Sequence, residues 1–267
     1  MPFGSSMTKK KILKQAICVR NKLKFDVKTK EDNIRLPTSK QLYYLSTYKQ
    51  NYGTRGFCNW LIPNHVIIGQ YPGCTPESYG PEQREVDLHV NKMVCDANVR
   101  LFCSLQSEVP SQDDYDAWKL VNGKMKLPVG GGRDDFPEYF SHYAPLVDSA
   151  LKLNSIQENV SYIHAPIIDL NTPSSDSLLL LLSSILTNLE QDDKAIYIHC
   201  WGGRGRAGLV GSCLLSLLYP ELDPDSCLEW VQRGYDTRDG AKSMPLGLRK
   251  SPQTSSQRDF VKRFILD

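Results

Sequence analysis

No two of the eight cysteines in this 267-residue chain stand three apart, no apolar run exceeds the five leucines at 178–182, and only five histidines are present. The first absence removes the spacing used by dithiol redox centres. The scattered histidines and unpaired cysteines give no ligand pattern for zinc. The second absence falls far short of the roughly twenty apolar residues that a membrane-crossing helix needs. Residues 1–25 lack the apolar core of a secretion signal, although their lysines and missing acids leave an organelle transit peptide open. Strong net charge is missing too: 32 Lys and Arg stand against 30 Asp and Glu, for a net +2.

That balance hides an asymmetry. Residues 1–30 carry nine Lys or Arg and one acid, Asp26, for +8, which leaves −6 for the other 237 residues. Such a basic stretch suits a solvated tail, and a membrane surface or an import receptor is a further candidate contact. No nucleic-acid partner is expected, and oligomeric state is not legible. Forty per cent hydrophobic residues and a mean hydropathy of −0.38 describe a chain able to bury a real core without disulfide staples. The cysteines then read as small buried apolar residues in a reducing compartment, and the expected location is cytoplasmic. Two parts are predicted: a basic N-terminal extension over 1–50, partly disordered or packed on the domain, and a catalytic domain over 51–267.

Periodicity sharpens after Trp60. HVIIGQYPG (65–73) is a β-rich run ending in turn residues, and NVRLFCSLQ (98–106) reads as a buried strand. PVGGGRDDFPEY (128–139) has the composition of a flexible loop, and YFSHYAPLVDSALKL (139–153) has helical spacing. VSYIHAPI (160–167) reads as a strand, DLNTPSS (169–175) as a loop, and 176–191 as a helix capped by Ser174 or Ser175. KAIYIHC (194–200) is again a strand. RAGLVGSCLLSLLY (206–219), 223–235 and 255–266 follow as helices. This alternation predicts an α/β fold: a three-layer sandwich with a mostly parallel central sheet flanked by helices.

Open α/β sheets bind ligands at the carboxyl ends of their strands, where Cys200 and the glycines of CWGGRGR (200–206) fall. Gly202, Gly203 and Gly205 let the backbone curl its amides inward, and the helix that follows adds unpaired N–H groups and the positive end of its dipole. Such a cradle suits a tetrahedral dianion, with Arg206 gripping two of its oxygens. The same groups stabilise a thiolate, which makes Cys200 a nucleophile aimed at bound phosphate. Two aspartates, Asp169 and Asp176, bracket the loop between the strand at 160–167 and the helix after it. Asp176 sits where a helix's first turn favours a carboxylate, and Asp169 lies in a polar, proline-bearing loop suited to closing over substrate.

HCWGGRGRAG (199–208) resembles the HCxxGxxR[S/T]G signature of the cysteine-dependent protein tyrosine phosphatases, most of all the dual-specificity branch. SPQTSSQRDFV (251–261) is similar to that superfamily's glutamine loop, and VIIGQYPG to the start of its dual-specificity domains. The resemblance covers about residues 55–267. It implies a phosphomonoesterase that works through phosphocysteine without metal or cofactor, on phosphotyrosine, phosphoserine or phosphothreonine proteins. A phosphoinositide or inositol-phosphate phosphatase is one alternative, and a binding pseudophosphatase with little turnover is another. By resemblance Asp169 is the general acid, His199 helps set the thiolate, Gln253 orients the hydrolytic water and Gln257 assists. Trp201, Gly202, Gly203, Arg204 and Gly205 would form the substrate-binding loop. Two departures stand out. Ala207 replaces the usual hydroxyl that helps sulfur leave, which predicts slow turnover of the phosphoenzyme. Arg204 adds a charge inside the loop, where phosphoinositide-hydrolysing relatives often carry a basic residue. Tyr139 and Tyr143 are read as core rather than pocket wall.

Overall fold

The computed structural model describes residues 8–267 apart from 24, 26–27, 31–32, 44, 51–52, 77–79 and 128–138. The predicted loop at 128–139 therefore lies outside the described residues except for Tyr139. A five-stranded sheet organises the chain: β1 (Cys58–Ile62), β2 (Val66–Gly69), β3 (Val99–Gln106), β4 (Ser161–Ile167) and β5 (Ala195–His199), in the order β4-β3-β5-β2-β1. Four strands run parallel, and β1 joins β2 antiparallel at one edge. β2, β3 and β5 are buried along their whole length, as Val, Ile, Leu and Phe in a sheet covered on both faces should be.

The helices are α1 (Lys9–Leu23), α2 (Gln83–Cys95), α3 (Tyr115–Leu120), α4 (Ala144–Leu153), α5 (Ser175–Gln191), α6 (Gly205–Leu218), α7 (Pro224–Tyr235) and α8 (Ser255–Leu266). This is the three-layer α/β sandwich expected from the alternation. Side chains leave β5 alternately, so Ile196, Ile198 and Cys200 join one core while Ala195 and Tyr197 join the other. The first core, under α1, α5, α6 and α8, is mostly aliphatic, with Tyr219, Trp230, Phe260 and Phe264 at its α7 and α8 side. The second, with α2 and α4, is built on Phe57, Trp60, Tyr71, Phe102, Trp118, Phe140 and Tyr143.

Two elements differ from the sequence reading. Residues 139–141 form a strand paired with Lys124–Lys126, and the helix starts only at Ala144, because Pro145 fits a helix's first turn and not its interior. The stretch before β3, to which the sequence reading assigns no element, contains α2, whose Glu82 and Glu85 form a capping box and whose Val86, Val90, Met93 and Val94 face the core. In the basic extension, α1 turns Ile12, Ala16, Val19 and Leu23 into the aliphatic core, at spacings of four, three and four. Arg20 pairs with Glu221, and Lys22 with Asp193. No helix of the described residues is long and apolar enough to cross a membrane.

Candidate active site

Cys200 is the first residue beyond β5. It is 3% exposed, and its N–H reaches the Gly69 carbonyl at 3.4 Å. The chain turns through Trp201–Arg204 and enters α6 at Gly205. Gly203 has φ +63°, and a Cβ there would lie 2.0 Å from the Gly69 carbonyl carbon and 2.3 Å from the Gln70 nitrogen. Left-handed backbone and close approach together demand glycine. α6 has no side-chain cap and no acid in its first turn, so its leading amides are open to an anion.

Arg206, in the first turn of α6, is 1% exposed. Its Nη1 donates to Glu108 Oε2 at 2.8 Å and to the Ile167 carbonyl at 3.0 Å. Nη2 lies 3.0 Å from Asp169 Oδ1, yet neither Nη2 nor Nε makes a well-aligned hydrogen bond. Burial works against the guanidinium's charge, but Cys200, Glu108 and Asp169 more than offset it and raise its pKa. A fixed cation thus presents two unsatisfied donors from one edge of its plane, the arrangement that grips a tetrahedral anion in bidentate fashion. Glu108, which anchors the other edge, escaped the sequence reading. Its only signal is position, two residues past the carboxyl end of β3.

Asp169 follows β4, with its side chain half exposed. Leu170 beside it takes φ +63°, strained for a branched side chain, and reaches the cleft. That cleft, about 270 Å³, is lined by Asp169, Leu170, Cys200, Trp201, Gly202, Arg204, Gly205, Arg206 and Gln253. Cys200, Arg206, Asp169 and Gln253, drawn from three separate segments, therefore meet in one place. Asp176 stays in the first turn of α5.

Gln257 does not line this cleft. Its Oε1 accepts from the Gln253 and Thr254 amides, its Nε2 donates to the Asn171 carbonyl, and it completes a capping box with Thr254. The side chain expected to assist Gln253 is held here as a helix cap and loop tie. His199 is fully buried. Its Nε2 shares a 2.8 Å hydrogen bond with the Tyr143 hydroxyl, while Nδ1 is buried without a side-chain partner. Burial, reinforced by His164, Arg206 and His89, holds its pKa well below the usual imidazole value, so the ring is neutral. Tyr143 lies in the core as expected. Trp201 packs edge-on against Phe140, and Ala207 is fully buried. Among the described residues no cluster of His, Cys, Asp and Glu is placed to hold a metal ion.

Comparison with known proteins adds a family. A family model described as "Swiss Army Knife protein, DSP-PTPase phosphatase domain" matches residues 141–261. Cyclin-dependent kinase inhibitor 3 of Rattus norvegicus is 36% identical over 66 residues, which is 25% of this chain and 31% of that protein. The putative tyrosine phosphatase 067L of Invertebrate iridescent virus 3 is 31% identical over 109 residues, 39% of this chain and 44% of that protein. The chain thus spans from under a third to under half the length of these curated relatives. Among solved structures, kinase associated phosphatase aligns with a TM-score of 0.47 and 16% identity, over 74% of this chain and 84% of that one. PTPMT1 in complex with PI(5)P aligns with a TM-score of 0.44 and 14% identity, over 76% and 91%.

Proposed function

Because residues 141–261 belong to the cysteine-dependent phosphatases of the dual-specificity type, we propose that this protein hydrolyses phosphomonoesters on phosphotyrosine, phosphoserine or phosphothreonine proteins through a phosphocysteine at residue 200. One observation carries the reading: the buried Arg206 offers Nε and Nη2 without aligned partners in the cleft that also holds Cys200 and Asp169.

A bound phosphate takes those two donors and the amides of the Trp201–Gly205 turn. In doing so it displaces Asp169 from Nη2 and turns it toward the leaving oxygen. The Cys200 sulfur, attacking as thiolate, forms an S–P bond as the ester P–O bond breaks, and the departing oxygen takes its electron pair and the Asp169 proton. Water, oriented by Gln253, then attacks phosphorus and returns a proton to Asp169. The S–P bond breaks and the sulfur leaves as thiolate. Ala207 gives that leaving sulfur no hydroxyl, so the second step is the slow one. Glu108 and the Ile167 carbonyl keep the guanidinium plane fixed throughout.

Hydrolysis of p-nitrophenyl phosphate by the wild type, Cys200→Ser and Asp169→Ala tests the proposal. The serine variant should be inactive, and the alanine variant should lose on the order of 10²–10⁴ in rate. Equal rates in all three would overturn the reading. Stopped-flow mixing should also show a burst that Ala207→Ser shortens.

A further inference from the structure

A groove of about 640 Å³ runs between α7, the segment 241–250 and the start of α8. It lies behind the glutamine of the catalytic cleft: Ser251 lines the groove, Gln253 lines the cleft, and Ser251 Oγ donates to the Arg204 carbonyl at 2.9 Å. Four cations line the groove, Lys242, Arg249, Lys250 and Arg258, against two acids, Glu229 and Asp236. Glu229 is already paired with Arg233, one helical turn on. None of the four cations makes an ion pair among the described residues, whereas Arg20, Lys22, Lys194, Arg233 and Lys262 each hold an Asp or Glu. The backbone that carries them is fixed. Gln232 Oε1 accepts from the Ser251 amide at 2.8 Å, and its Nε2 donates to the Arg249 carbonyl at 2.9 Å. Arg249 Nε donates to the Met244 carbonyl at 2.6 Å, and Arg258 Nη1 to the Pro252 and Gln253 carbonyls at 2.9 Å. Leu228 and Leu246, the latter 78% exposed, supply an apolar wall.

We propose that this groove docks an acidic segment of the phosphoprotein substrate, with carboxylates on Lys242, Arg249 and Lys250 and an apolar side chain against Leu228 and Leu246. The inference rests on the phosphatase reading above and adds a docking site to it. Unpaired cations select an acidic occupant, and the leucines favour a polypeptide over a bare anion. The volume falls within the roughly 300–1,000 Å³ of binding pockets, room for several side chains. Only the strip 251–253 separates groove from cleft, and three residues span at most roughly 8 Å between their end Cα atoms. Six extended residues cover roughly 20 Å, enough to leave the cleft, cross that strip and enter the groove. Contacts so far from the reacting phosphorus are equal in ground and transition state, so they lower KM and leave kcat unchanged.

The test uses one phosphorylated core peptide with three tails, Glu-Glu-Leu-Glu, Lys-Lys-Leu-Lys and Gly-Ser-Gly-Ser, each placed about six residues to either side of the phosphorylated residue. For the wild type at low salt the acidic tail should raise kcat/KM roughly tenfold over the neutral one, through KM, and the basic tail should lower it. The gain should fade in about 0.5 M salt. Arg249→Glu with Lys250→Glu should reverse the order of acidic and basic tails. The milder pair Arg249→Gln with Lys250→Gln should erase the gain, and Leu246→Ser should cut it roughly threefold. None of these residues lines the catalytic cleft, so every variant should hydrolyse p-nitrophenyl phosphate at the wild-type rate. Equal kcat/KM for the three tails, or an acidic preference that both double variants keep, overturns the docking site, while turnover of p-nitrophenyl phosphate leaves the phosphatase reading standing. Sedimentation with phosphatidylserine vesicles that both double variants abolish, without any tail preference, overturns the peptide assignment in favour of a lipid surface. If no peptide is turned over, the phosphoprotein reading falls, and fluorescence anisotropy of the unphosphorylated acidic tail decides the groove separately. Binding that both double variants abolish supports the docking site, and no binding overturns it.

Discussion

The two faces of the central sheet solve the same packing problem with different chemistry. Under α1, α5 and α6 the buried side chains are mostly Leu, Ile and Val, and polar groups are few. On the α2 and α4 side the sheet meets a hydrogen-bonded aromatic core: His89 Nδ1 lies 2.6 Å from Ser46 Oγ and Nε2 3.2 Å from the Tyr197 hydroxyl, which donates to the Gln70 carbonyl. Phe57 stacks on His89 at 4.1 Å, and Tyr143 bonds His199. The cleft sits at the seam, with Cys200 in the aliphatic core and His199 reaching into the polar network. The lesson is a division of labour: one face supplies cohesion that is indifferent to pH, and the other fixes directions around the loop at the cost of titratable groups.

That contrast can be broken in order of expected effect. Leu214→Ala, in the middle of α6 and fully buried, should cost about 3–5 kcal/mol in urea unfolding, and equally at pH 7 and pH 4.5. A loss below about 1 kcal/mol would deny the aliphatic face its role. Next comes acid sensitivity of the aromatic face. Burial lowers the His89 pKa from 6.5 to about 3. Between those values the unfolded chain binds a proton that the folded chain refuses, so stability is full above 6.5 and falls as pH drops toward 3. At pH 4.5 the loss from this group is about 3 kcal/mol, and His199 acts in the same direction. His89→Gln should flatten the slope of urea midpoint against pH, and an unchanged slope would place the acid sensitivity elsewhere.

Smaller effects sharpen the picture. Tyr143→Phe removes the hydroxyl from His199 and should cost about 1 kcal/mol, with little change in the urea m-value. Arg20→Ala breaks the surface pair that ties α1 to Glu221. Such a partly exposed pair should contribute about 0.5 kcal/mol, lost in high salt, while the apolar stripe of α1 keeps the helix docked.

The cleft was legible where its information is contiguous. The strand, the glycines, Arg206 and the start of α6 fall within a dozen residues, and each local preference there agrees with the fold. Asp169 and Gln253 were expected beside it because the resemblance names their positions, and both line the cleft. Glu108 was not, since it meets Arg206 only through long-range folding, and a lone charged residue in sequence carries no hint of its partner. Gln257 shows the opposite failure: the pattern Thr254-x-x-Gln257 announces a capping box, and that local reading describes its side chain better than a functional one. α1 was obscured by its lysines, although the spacing of Ile12, Ala16, Val19 and Leu23 was in plain view.

All fourteen residues of α6 are buried. A rod with no wet side cannot slide or tilt without dragging neighbours on every flank, so the loop at its tip is rigidly anchored. Whatever adaptation substrate entry requires falls to the half-exposed Asp169–Leu170 segment and to the rim around the cleft. New specificities would therefore arise by changing that rim, with the cradle inherited unaltered.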